Sequence, residues 1–201
     1  MDNAIRIEHV GPEAIPIIQT ITRQVWPIAY AEVITPAQIE YMLNMMYSEA
    51  SMLQQMQEKQ HQFLLLYYKN EPVGFAGYSF QEEKVYRLHK LYLYTHLHGL
   101  GLGKALLDEV CNQSRIAGAE ELELNVNRYN KTYFFYLKYG FTVYREEDID
   151  IGQGFFMNDY VLRFRLWTRQ FDAEGGPFSY FTMLNENTTT VVGFYDAFNQ
   201  W

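Results

Sequence analysis

A single cysteine, Cys111, stands in a chain of 201 residues, which excludes an internal disulfide framework and leaves no thiolate cluster for zinc. It falls within the apolar stripe of a helix, where a small buried residue is expected rather than a nucleophile. Positive charge is also scarce: 16 Lys and Arg against 24 Asp and Glu give a net charge of −8. Phosphate backbones are held by clustered cations, so no nucleic-acid partner is expected. Long apolar runs are missing, and no charged segment followed by an apolar stretch opens the chain. No membrane partner is expected, and the cytoplasm is the expected location. No internal repeat or low-complexity tract interrupts the sequence. What it does have is aromatic side chains, 17 Tyr and 14 Phe, within a 48% hydrophobic and 20% charged composition typical of a globular domain with a short appendage.

Periodicity gives the order of elements. Residues 4–10 read as a strand. Ile17, Ile18, Ile21 and Val25 then share one face of a helix that Pro27 is expected to kink or end. Thr35-Pro36-Ala37-Gln38 is a capping box with proline at the first helical position, and Ile39, Met42, Leu43 and Met46 follow on one side. A further helical stretch carries Met52, Leu53 and Met56. Gln62–Tyr68, Val73–Phe80 and Val85–Tyr94 form a three-strand meander. A helix from Leu102 to Ala117 stops at Gly118, and Leu122, Leu124 and Val126 alternate in the next strand. Asn130 caps a short aromatic helix that Gly140 ends. Phe141–Tyr144 and Phe155–Leu166 finish the sheet, separated by the acidic run Glu146–Asp150, read as a solvated loop. Residues 167–201 form an aromatic extension, with Phe178–Leu184 and Thr189–Phe194 as hairpin strands packing on the domain or on a second copy in a homodimer.

The most informative segment is His98-Gly99-Leu100-Gly101-Leu102-Gly103-Lys104, placed between an apolar strand and an amphipathic helix. Alternate glycines let the backbone approach a ligand closely, and the free N–H groups and positive dipole end of the helix face the same place. A phosphate is the natural occupant. The loop lacks the hydroxyl that follows Gly-Lys in a Walker A motif, since Ala105 stands there. It also lacks the Gly-x-Gly-x-x-Gly spacing of a dinucleotide fingerprint, and the following strand, ending in Asn125-Val126, lacks the acid that holds a ribose.

Leu91-Tyr92-Leu93, the glycine loop through Leu107, and the later Asn130 with Phe135-Tyr136-Leu137-Lys138-Tyr139-Gly140-Phe141 together resemble the GNAT superfamily of acyl-CoA N-acyltransferases. The resemblance covers roughly residues 4 to 166. The segment from Tyr30 through Ile34-Thr35-Pro36 to Ser48 is similar to a bacterial branch whose members mostly lack an assigned acceptor. His98 departs from the Gln or Arg usual at that place in the loop. The resemblance implies an α/β (α+β) GNAT-like fold, with a mixed sheet of six to seven strands, a splayed central parallel pair, and helices on both faces. Residues 1–166 would be the acetyltransferase domain and 167–201 the extension.

It also implies a reaction: an acetyl group moves from acetyl-CoA to a primary amine of a small molecule or peptide, without a metal. His98, Gly99, Leu100, Gly101, Leu102, Gly103 and Lys104 would cradle the pyrophosphate. The main chain of Leu91 and Leu93 would pair with the cofactor's amide arm, and Asn130 would touch that arm as well as cap its helix. Tyr136 matches the family tyrosine beside the sulfur and would be the acid, although Tyr133 and Tyr139 share its helix and aromatics there also pack. For the base, His89 lies on the strand before the loop, with the strand parity of Leu91 and Leu93; Glu82 and Glu83 lie too near a turn to rank above it. The rival reading is a non-catalytic acyl-CoA-binding or interaction module that keeps the fold.

Overall fold

The computed structural model describes residues 4–166; the expected tail strands and any dimer contact through residues 167–201 lie outside the described residues. Strands β1 (Ile5–Val10), β2 (Gln62–Tyr68), β3 (Glu71–Glu82), β4 (Val85–Leu93), β5 (Glu121–Asn127), β6 (Thr142–Gly152) and β7 (Phe155–Arg165) make one sheet in the order β1-β2-β3-β4-β5-β7-β6. Lys69 and Asn70, both with positive φ, form the tight turn that pairs β2 with β3. The near-continuous apolar run of β2 has a simple cause: both its faces are covered. Leu64 and Leu66 enter one core, Phe63 and Leu65 the other.

The first core lies under α4 (Leu102–Ile116) and α5 (Thr132–Tyr139). Leu106, Leu107 and Val110 of α4 are fully buried, each such side chain contributing about 1.5–3 kcal/mol. The second core lies under α1 (Ile15–Ala29), α2 (Pro36–Tyr47) and α3 (Glu49–Gln57) and is built on Trp26, Met42, Met52 and Phe75. The Thr35 hydroxyl accepts from the Gln38 N–H at 3.2 Å, so the sequence's capping signal sets the start of α2. Pro27 sits inside α1, which continues through Ala29 before it ends.

One expectation is corrected. Glu146–Asp150 is not a loop but the middle of β6, paired with β7 from Thr142 to Gly152. An edge strand exposed on both faces has no apolar pattern to show, and charge suits it, because it discourages pairing with another sheet. Arg128 bonds both Glu146 and Asp148 from the neighbouring connection.

The centre of the sheet forks. β4 and β5 are parallel neighbours only from Val85 to Leu88 and from Glu121 to Leu124. Beyond that, β4 runs on to Leu93 and β5 to Asn127 without meeting. β4 also carries a bulge at its bend: Gly77 pairs with Lys90 but Tyr78 pairs with Leu88, so His89 is the extra residue.

Candidate active site at the strand fork

The fork exposes backbone. Tyr94 donates its N–H to the Val73 carbonyl of β3. Alternation along the strand then turns the N–H and C=O groups of Leu93 and Leu91 to the opposite edge, into the gap. Their side chains pack in the α4–α5 core, which fixes the strand's rotation.

The glycine loop lies next along the chain. Thr95–Leu97 form a single 3-10 turn, His98 is exposed, and Gly99 and Gly101 take φ of +86° and +75°. Gly101 caps α4, so the unbonded N–H groups of the helix's first turn open at the loop. A Cβ at Gly99, Gly101 or Gly103 would meet nothing within 4 Å, so open space lies against this backbone. Lys104 reaches back to Asp108, with Nζ 3.0 and 2.8 Å from its two carboxylate oxygens, and lies over the Tyr139 ring.

On α5, Asn130 accepts from the Thr132 N–H at 2.9 Å and so caps the helix from just outside it. Tyr136 is 6% exposed and packs edge-on against Phe135 and Phe141. Burial raises its pKa, so the hydroxyl stays protonated. Charge on Tyr30, from the other side of the sheet, raises it further.

His89 lies elsewhere. The bulge puts both His89 and Lys90 toward α2 and α3, so His89 does not share the face of Leu91 and Leu93. Its ring stacks on His61 with centroids 4.0 Å apart, and its Nε2 is 2.8 Å from the Ser79 hydroxyl. Burial, and then the neighbouring His61 and Lys90, pull its pKa down to about 2. Lys90 itself is buried between the rings of Tyr47 and Phe63, bonds the Gln55 amide oxygen, and is pulled to about 8, chiefly by burial.

On the α1–α2 side, the mouth of the fork is lined by residues far apart in sequence. The Tyr30 hydroxyl, at the end of α1, lies 3.1 Å from that of Tyr92 on β4. Asn125 of β5 donates to Glu147 of β6 at 3.2 Å and to Asp159 of β7 at 3.4 Å. Asp159 is 2% exposed, and its charge is felt by Tyr30. Sequence reasoning passed over all of these. The one available signal was parity: in β7, Asp159 stands on the buried side with Val161.

A family model described as an acetyltransferase (GNAT) domain matches residues 30–160. No curated protein matches the sequence. Among solved structures, the PaiA N-acetyltransferase of Thermoplasma acidophilum, in complex with coenzyme A, is 26% identical with a TM-score of 0.68, over 80% of this chain and 98% of that one. The ribosomal-protein-S18-alanine N-acetyltransferase of Escherichia coli is 15% identical, with a TM-score of 0.61 over 84% and 97%. The yncA protein of Salmonella typhimurium, solved with its cofactor acetyl-CoA, is 16% identical, with a TM-score of 0.55 over 88% and 99%. The family model spans well over half of the chain, and the chain belongs to the GNAT acetyltransferase family.

Proposed function

We propose that the protein moves an acetyl group from acetyl-CoA to a primary amine of a small molecule or peptide. The observation that carries this reading is the unpaired edge of β4 at Leu91 and Leu93, opening beside the glycine loop. An extended amide arm can complete that edge as an added strand, while the N–H groups from Gly99 to Lys104 receive the pyrophosphate. The coenzyme A and acetyl-CoA held by two of the structural neighbours support the same donor.

Each residue then has a chemical task. The Leu93 N–H faces the gap and donates to the acyl oxygen, where negative charge develops on attack. The amine nitrogen bonds to the thioester carbon, the C–S bond breaks, and Tyr136 gives its proton to the departing sulfur, whose thiol has a pKa of about 8.5. The phosphates lie on the α4 side, so the acceptor enters from the opposite face, past Tyr30 and Tyr92. The E. coli neighbour's acceptor is an alanine of ribosomal protein S18, which keeps peptide N-termini among the candidates beside small amines.

Thermal unfolding with acetyl-CoA, with coenzyme A, and with NADH as control tests the donor. Ligand at a hundred times its dissociation constant adds about 2.7 kcal/mol, and thus roughly 5–10 °C for a domain of this size. A shift with the two coenzyme A ligands alone is expected, followed by thiol release on an amine panel. No shift would refute the cradle. Binding without turnover of any amine would favour a non-catalytic acyl-CoA-binding module.

A further inference from the structure

Two carboxylates on the α1–α3 face of the sheet are almost wholly buried, and the structure treats them differently. Glu123, 2% exposed, is held by Arg87, by Arg163 at 2.8 Å and by Arg145 at 3.3 Å. Its charge is neutralised, and its role is architectural. Asp159, also 2% exposed, forms no salt bridge with any cation among the described residues. Arg128, whose charge it feels, is taken by Glu146 and Asp148. Among the described residues the Asp159 carboxylate accepts one hydrogen bond, a long one of 3.4 Å from Asn125. An unpaired buried charge is costly, and a fold keeps it where a ligand supplies the partner.

The surroundings say what that partner is. The Asn125 amide nitrogen faces Asp159, while its oxygen is buried and has no hydrogen-bond partner among the described residues. A carboxylate with no cation and an amide oxygen with no donor thus belong to one hydrogen-bonded pair, which matches an ammonium group. The Tyr30 hydroxyl lies 3.1 Å from that of Tyr92 on the forking strand and is near enough to feel the charge of Asp159.

We propose that Asp159 is the general base of the acetyl transfer, taking the proton of the acceptor's ammonium group, directly or through one water, while the Asn125 oxygen holds that group in place. The inference rests on the acetyltransferase reading above. The nitrogen gives up two protons in all. One passes through Asp159 to solvent, and the other replaces the proton that Tyr136 gives to sulfur. Burial raises the Asp159 carboxyl to about 6, Glu147 and Asp148 push it the same way, and the Asn125 bond and Arg128 oppose them. The group is thus ionised at neutral pH yet basic for a carboxylate. His89, tied to Ser79 and His61 and hard to protonate, is unsuited to this task.

The test is Asp159→Asn in the full chain, assayed with acetyl-CoA and a panel of an alkyl diamine, an amino sugar, an amino acid and a peptide with a free N-terminus. A second acceptor, an alkoxyamine already unprotonated at pH 7, needs no base. The expected result is a 10²-fold or greater loss of kcat with the alkylammonium acceptor, an unchanged acetyl-CoA dissociation constant, and turnover of the alkoxyamine within a few-fold of wild type. The acid limb of the wild-type rate profile, near pH 6, should vanish in the variant. Wild-type kcat with the alkylammonium acceptor, or equal losses with both acceptors, would overturn the role of Asp159 and leave acetyl transfer standing. A wild-type protein that binds acetyl-CoA but acetylates nothing would overturn the transfer reading itself, and the role of Asp159 with it.

Discussion

Tyr136→Phe removes one oxygen from a side chain whose packing is otherwise fixed. The ring stays between Phe135 and Phe141, and no group among the described residues hydrogen-bonds the hydroxyl, so the fold should lose less than about 1 kcal/mol. The chemistry should lose much more. Without the acid, the thiolate departs unprotonated, and removing a positioned proton donor costs roughly 10²–10⁴ in rate, about 2.7–5.5 kcal/mol of barrier. Steady-state kinetics following thiol release should show kcat falling by that factor while the KM for acetyl-CoA stays within about two-fold, alongside an unchanged melting temperature. The wild-type enzyme should also show no alkaline fall in rate from Tyr136 up to about pH 10, because burial holds its pKa above that of free tyrosine. A variant with wild-type kcat, or one whose loss lies entirely in KM, would refute the assignment.

Gly101→Ala places a side chain at φ +75°, which costs about 1–2 kcal/mol of strain, into a space open in the free protein. Calorimetry should find coenzyme A binding at least about ten-fold weaker, and unweakened binding would mean the phosphates lie elsewhere. Stability should also fall in acid. Burial lowers His89 to about 2 and His61 to about 4, so both resist protonation when folded but take up a proton near pH 6.5 when unfolded. The fold is therefore fully stable above about pH 6.5 and loses up to about 1.4 kcal/mol per pH unit for His89 as the pH falls below it, with a smaller loss from the more solvent-exposed His61. Denaturant midpoints measured from pH 7 to pH 4.5 should show this slope, and His89→Gln should flatten it; an equal slope in the variant would contradict the burial of a neutral His89.

Local signals made most of the scaffold legible. The Thr35 cap, the stripe of α4 and the alternation in β5 each act within a few residues, and each element formed where its signal lay. The expected parity of His89 with Leu91 and Leu93 did not hold, for a reason alternation cannot reveal. One extra residue in β4 reverses the parity beyond it, and a bulge is set by pairing with β3 rather than by any residue type. The acidic stretch Glu146–Asp150 hid β6 because an edge strand needs no apolar face. The acceptor side of the fork was hidden by distance: Tyr30, Tyr92, Asn125 and Asp159 come from four separate elements, and only the topology of the sheet brings them to one opening.

The fork also bears on how freely this scaffold can change. On the present reading the donor is recognised by main-chain groups that every amino acid but proline provides, at Leu91, Leu93 and the loop around Gly101. The side chains on that strand are left to pack the interior, and they can drift among apolar residues without the grip on the donor being lost. Choice of acceptor depends instead on side chains at the far opening, contributed by α1, β5 and β7. One half of the reaction is thus written into the shape of the sheet, and the other into a handful of replaceable residues, so a new acceptor can be acquired without rebuilding the machinery that activates the acetyl group.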